Sequence, residues 1–152
     1  MADATSRLLG PERLRWLRQL PLQWRAGDML LVHATPDDLE RAPALTASAD
    51  ELQRQFGGQG VALVVYGHTH RPGVRRISDF TLANSGSVGQ PYDGDWRASY
   101  LLIDDGRVEV RRVTYDPQRE LADLAASDYP FAASIFEMRR RGEYLSLPAT
   151  AP

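Results

Sequence analysis

The longest unbroken apolar run in this chain is Val61-Ala62-Leu63-Val64-Val65-Tyr66, and it is rich in β-branched side chains. A strand with one wet face alternates apolar and polar residues; this run does not alternate, so it reads as a strand packed on both faces in the middle of a covered sheet. Layers must then lie above and below that sheet, which narrows the fold to a layered α/β domain. The run stops at Gly67, where the backbone is free to leave the strand sharply.

The rest of the chain supplies those layers. Residues 8–20 read as a short helix, with Pro11 in the first turn and Leu14, Trp16, Leu17 and Leu20 as its apolar face. Residues 29–32 form a short buried strand ending at His33, and 34–47 a loop with several acids. Ser48-Ala49-Asp50-Glu51 has the composition of a helix start, and Gly57-Gly58 ends that helix. Residues 80–83 are a further strand. Two more, 98–103 and 108–115, flank the hairpin signal Asp104-Asp105-Gly106-Arg107. Helices are expected over 117–126 and 131–141, the second closed by Gly142, and 146–152 form a loose tail. No repeat or linker divides the chain, so 1–152 reads as a single domain. The sheet opens on a buried strand preceded by a single helix, as though something that packs beside this half were missing.

Composition removes several classes of function. The chain has 152 residues, a size that allows one domain with a real core. A net charge of -2 argues against coating extended nucleic acid. No run approaches the roughly 20 apolar residues of a membrane span. No signal-peptide core follows Met1, so a cytoplasmic setting is expected. There is no cysteine, hence no disulfide and no thiolate ligand. Every basic residue is arginine, and clusters such as Arg75-Arg76 and Arg139-Arg140-Arg141 read as solvated faces among acids.

The 3 histidines are the chemical signal. His33 follows Met29-Leu30-Leu31-Val32; His68 and His70 follow the central strand in Gly67-His68-Thr69-His70-Arg71-Pro72. Imidazole is a common nitrogen ligand for transition metals, and all three rings lie just past the ends of buried strands. Residues two apart share a face in a strand, but the chain turns here, so the two rings can serve one ion or two. Three neutral imidazoles are also the ligand set of one open zinc site. Asp37 and Asp38 are possible oxygen donors from the loop after His33. A hydrogen-bonded histidine at a sheet edge is the plainer alternative for each ring.

Val65-Tyr66-Gly67-His68-Thr69-His70-Arg71-Pro72 resembles the last metal-binding motif of the calcineurin-like metallophosphoesterases. Leu30-Leu31-Val32-His33-Ala34-Thr35-Pro36 resembles their preceding histidine motif. Asn84-Ser85-Gly86-Ser87-Val88-Gly89-Gln90-Pro91 resembles the loop that follows in small bacterial phosphodiesterase-like members. The resemblance runs from about residue 8 to about residue 142. It implies an α/β fold: part of a two-sheet sandwich flanked by helices, with the N-terminal part of that fold missing. It also implies a metal-dependent phosphoesterase acting on a phosphomonoester or phosphodiester, with a phosphorylated small molecule or nucleotide as substrate. His33 and His68 would bind one ion and His70 another. The ions would be divalent Mn, Fe, Zn or Ni: two in the family, one or none held by this chain alone.

The family's N-terminal Asp-x-His, Gly-Asp-x-x-Asp and Gly-Asn-His-Asp/Glu motifs have no counterpart here. The chain is therefore expected to be impaired alone, or to depend on a partner: a further copy of itself or a complementing N-terminal half. A non-catalytic remnant serving as a metal-binding or oligomerisation module is the alternative. No catalytic residue is assigned. Ser85-Gly86-Ser87-Val88-Gly89 is not a nucleophile elbow, because Ser85 stands where the first glycine is required; it reads as a tight turn, with Asn84 placed to orient it. Arg71 and Arg97 are weaker candidates for phosphate contacts. Tyr92 and Trp96 are rings able either to stack on a nucleobase or to pack over the sheet edge.

Overall fold

A computed structural model describes residues 2–147. Its centre is a five-stranded sheet in the order β1-β2-β3-β5-β4, from β1 (Gln23–Ala26), β2 (Met29–Val32), β3 (Leu63–Tyr66), β4 (Gly73–Ile77) and β5 (Phe80–Asn84). β3 is buried along its whole length and lies parallel to β2 on one side and β5 on the other. The two outer strands run antiparallel to their neighbours.

The period-2 alternation of β3 divides the core. Val64 and Tyr66 join Leu30, Val32 and Leu82 on one face, under Leu52 and Phe56 of helix α2 (Ala49–Phe56). Leu63 and Val65 join Ala83 on the other face, against Leu101 and Val108. Those two belong to a two-stranded antiparallel sheet of β6 (Ala98–Asp104) and β7 (Arg107–Val113). A helix layer, a sheet and a second sheet follow, as the unalternating strand requires. Helices α3 (Gln118–Ala125) and α4 (Ala132–Arg141) pack together at the C-terminal end. Among the described residues, no helix is long and apolar enough to cross a membrane.

Several elements differ from their sequence reading. The first helix, α1, runs Ala2–Leu17 and breaks at Gly10 (φ 73°, ψ 169°). Pro11 therefore opens a second helical segment, the position where its missing N–H costs least. Strands β1 and β4 are not among the strands the sequence predicts: β1 has only four residues and is exposed except at Ala26, and β4 is interrupted by Arg75-Arg76. Arg75 is not a solvated side chain; its guanidinium Nη1 donates to the carbonyls of Leu45 (2.9 Å) and Ala47 (2.6 Å) and ties the long loop to β4. Of the expected tail at 146–152, residues 148–152 lie outside the described residues.

Candidate metal centre

β2 and β3 run parallel and end side by side, so the residues just past them meet at one edge of the sheet. The Gly67 N–H donates to the His33 carbonyl (3.0 Å), continuing the ladder by one bond beyond the strands. His68 Nδ1 and His33 Nε2 then stand 3.1 Å apart, one donating and the other accepting, with their rings edge to face at 5.1 Å.

His70 goes elsewhere. His68 and His70 both take left-handed backbone conformations, φ 56° and 54°, so the strand alternation that would align them is lost. Non-glycine residues enter this region only where their surroundings hold them. The His70 ring stacks on Tyr92 (4.7 Å, 16° between planes), and its Nδ1 lies 2.7 Å from the Gln90 carbonyl. A carbonyl only accepts, so Nδ1 carries a proton and, in the neutral ring, Nε2 is the nitrogen left with a lone pair. That is the tautomer a ligating histidine needs.

The turn is clamped by Asn84, which is fully buried at the end of β5. Its amide nitrogen donates to the Gly67 carbonyl (2.7 Å) and to Thr69 Oγ1 (3.1 Å), and its oxygen accepts from the Gly86 N–H (2.8 Å). The orientation of the amide is settled by the Gly67 carbonyl, which can only accept. The Ser85-Gly86-Ser87 loop is held in turn by Ser99 on β6. Ser99 Oγ donates toward the Ser85 carbonyl (2.9 Å) and accepts from the Ser87 N–H (3.0 Å). These serines shape a turn.

Electrostatics favour the neutral form of His33. His33 is exposed as a residue, yet loss of water around its ring is the largest cause that lowers its pKa below the ordinary value; the charges of His68 and then His70 act the same way. The other candidates do not converge. Asp38 Oδ1 accepts from the backbone N–H groups of Glu40 and Arg41 (2.7 and 3.1 Å) and closes its own loop. Arg97 pairs with Asp95 (2.6 Å), Arg71 is exposed, and Tyr92 is spent on His70 rather than on a base.

Of the two arrangements the sequence leaves open for the three imidazoles, one shared ion or two, the structure brings His33 and His68 together and turns His70 Nδ1 to the Gln90 carbonyl. Among the described residues no three metal-ligating side chains form a group. The donors present are imidazole nitrogens, His70 with an outer hydrogen bond to Gln90 and His33 and His68 bonded to each other, but among the described residues no carboxylate joins them. These residues fit part of a metal centre and do not complete one. What sequence reasoning missed is the Gln90 carbonyl, a backbone atom that no side-chain pattern reports.

Residues 13–105 match the family model of the calcineurin-like phosphoesterase superfamily domain. The chain is 27% identical over 147 residues to the uncharacterized protein MJ0912 of Methanocaldococcus jannaschii, covering 83% of this chain and 59% of that one. It is similar to the crystal structure of a metallophosphoesterase from Sphaerobacter thermophilus (26% identity, TM-score 0.73), covering 90% of this chain and 65% of the other. The hypothetical protein PH1004 from Pyrococcus horikoshii OT3 shares the fold at 17% identity and TM-score 0.78, over 90% of this chain and 56% of its own. The chain thus spans about three fifths of the length of these relatives.

Proposed function

This chain belongs to the calcineurin-like phosphoesterase superfamily, and on that premise we propose that it contributes the histidine side of a metal-dependent site hydrolysing a phosphomonoester or phosphodiester. The observation that carries the reading is the edge itself. His33 and His68 are brought together at 3.1 Å by two parallel strands, and His70 is set in its ligating tautomer by the Gln90 carbonyl. His33 and His68 would hold one divalent ion of the Mn, Fe, Zn or Ni group, and His70 Nε2 would face another. When bound, such ions acidify a water and neutralise phosphoryl oxygens. The residues of this chain hold and orient: Asn84 fixes the turn, and Gln90 and Tyr92 fix the His70 ring. The substrate class that suits such a site is a phosphorylated small molecule or nucleotide.

Charge argues that the site needs more than this chain gives. Two unit charges 4 Å apart repel by about 1 kcal/mol in water, and a pair of divalent ions by about four times that, more where water is excluded. Neutral imidazoles offset none of it. Carboxylates must come from residues beyond the described edge, supplied by a partner copy or a complementing segment. The second reading, a non-catalytic module that binds metal or self-associates, is favoured by the lack of any three-ligand group among the described residues.

The test is metal content per chain by plasma mass spectrometry, together with hydrolysis of p-nitrophenyl phosphate and bis(p-nitrophenyl) phosphate. The expected result is bound metal that the His68→Ala variant loses, along with any turnover. Metal and rates unchanged in that variant would overturn the assignment. Metal bound without turnover of either ester would leave the module reading in its place.

A further inference from the structure

We propose that Met138, on α4, is a positioning residue for His70, and that it acts through the loop residues Gln90 and Tyr92. The inference rests on the reading of His70 as a metal ligand and names what holds that ligand in place. Between β5 and β6, residues 85–97 form neither strand nor helix, so no ladder fixes them. This stretch nevertheless makes three contacts that hold His70. The Gln90 carbonyl meets Nδ1 (2.7 Å), the Tyr92 N–H donates to the His70 carbonyl (3.1 Å), and the Tyr92 ring lies against the imidazole (4.7 Å). His70 keeps a φ of 54°, which a non-glycine residue adopts only where its surroundings hold it. A loop with no ladder of its own can do this only if it is fixed from outside.

The C-terminal end of α4 supplies that hold. Met138 is 2% exposed, and its sulfur lies 3.9 Å from Gln90 Nε2 and 3.8 Å from the Tyr92 hydroxyl, accepting from both. One buried side chain thus backs both residues that grip the ring. A thioether is a weak acceptor, so its bulk carries the larger effect: an unbranched methionine fills the irregular gap between a helix and a loop. Just past α4, Tyr144 meets Tyr92 edge to face (5.4 Å, 74°). The Gly94 N–H donates to the Gly142 carbonyl (2.9 Å) and ties down the far side of the loop. At Gly142, φ is +66° and a Cβ would lie 3.2 Å from the Gly94 backbone, so the close approach needs a glycine. The helix end therefore grips the loop at positions 90, 92 and 94. His33 and His68 are held otherwise, by the backbone bond that continues the β2–β3 ladder. Loosening Met138 should then disturb one histidine and spare the other two.

Nitrogen NMR of the metal-free whole chain, isotope-labelled at its histidines, tests this, because the ring shifts report the tautomer of each imidazole. In the wild type, His70 is expected as the Nδ1–H tautomer with a protected proton. Met138→Ala is expected to lose that protected signal and to give the averaged shifts of an unheld ring, with His33 and His68 unchanged. Met138→Leu keeps the volume and is expected to restore the wild-type pattern. Because Met138→Ala opens a buried cavity and can fail to fold, Tyr144→Ala is the second variant. Tyr144 is 60% exposed, and its loss is expected to move the His70 signals alone, in the same direction. Zinc ions added to the wild type separate this inference from the reading beneath it. Zinc that moves no His70 signal would sink the ligand assignment, while the metal-free shifts still decide the positioning. A mixed His70 tautomer in the wild type, unchanged His70 signals in a folded Met138→Ala or in Tyr144→Ala, equal movement of all the histidines, or no rescue by leucine each overturns the proposal.

Discussion

Asn84 shows how much a single side chain decides at the residue scale. It is buried with no exposed surface, and its amide meets two acceptors and one donor. Asn84→Ala strands those groups, and each buried polar group left unpaired costs about 1–3 kcal/mol. The expected outcome is a loss of stability in that range by urea unfolding, and metal affinity weaker by about 10–100-fold, the usual effect of losing a group that supports a ligand. Gly86 is under a harder constraint. Its φ is +70°, and a Cβ there would lie 2.1 Å from Ser99 Oγ. Gly86→Ala is expected to unfold the 85–91 loop, read as a lower melting temperature and loss of the His70 ring's protected N–H signal. Asp95 carries a pH dependence: the Arg97 hydrogen bond, its largest cause, lowers its pKa from 3.8 to about 2. A depressed carboxylate stabilises the fold above its unfolded pKa. That contribution is whole above about pH 4 and is lost as pH falls through about 2, and Asp95→Asn should flatten that part of an acid-unfolding curve.

At the scale of elements, legibility followed local signals. α2 was readable at both ends because its signals are local: Ser48 Oγ accepts from the Glu51 N–H (3.2 Å), and Leu52 and Phe56 are fully buried. Ser48→Ala is expected to cost about 1 kcal/mol of stability, with Ser48→Asp restoring it, by chemical denaturation. β3 and the β6–β7 hairpin were readable for the same reason, one from its run and the other from its Asp-Gly turn. β1 and β4 were not. Both are edge strands whose residues are held by the ladder to a neighbour, and a ladder bond is made by backbone that every residue carries. The break at Gly10 belongs with them: Pro11 marked a helix start correctly, but nothing local told that a helix also lies before it.

For the whole molecule, the telling feature is what lies uncovered. Trp16, Leu17, Leu20, Leu22 and Trp24 are between 41% and 69% exposed, and Trp24 lies on β1, an edge strand of the larger sheet. Exposed large apolar side chains and an open strand edge are the features against which a further chain or segment would pack. Since the relatives are longer than this chain, the surface suits either a second copy or a complementing segment. Sedimentation velocity is expected to show concentration-dependent association that Trp24→Glu weakens. A wild-type chain that stays monomeric across the range would remove self-association as the way this face is covered.

The residues alone determined the covered central strand, the α/β class, the family likeness and the identity of the histidines. All of these are written in local runs and motifs: an unalternating strand has only one comfortable place, and a glycine followed by two histidines one residue apart needs no distant partner to be noticed. Which rings meet was decided by tertiary structure. Parallel pairing of β2 with β3 put His33 beside His68, 35 positions away, while two left-handed turns sent His70 to a backbone carbonyl 20 positions on. Arg139 fared likewise: it reads as one of a solvated cluster, but the packing of α3 and α4 leaves its Nε buried with no acceptor among the described residues. A sequence carries the chemistry of its side chains; their distances arise only when strands pair and helices pack.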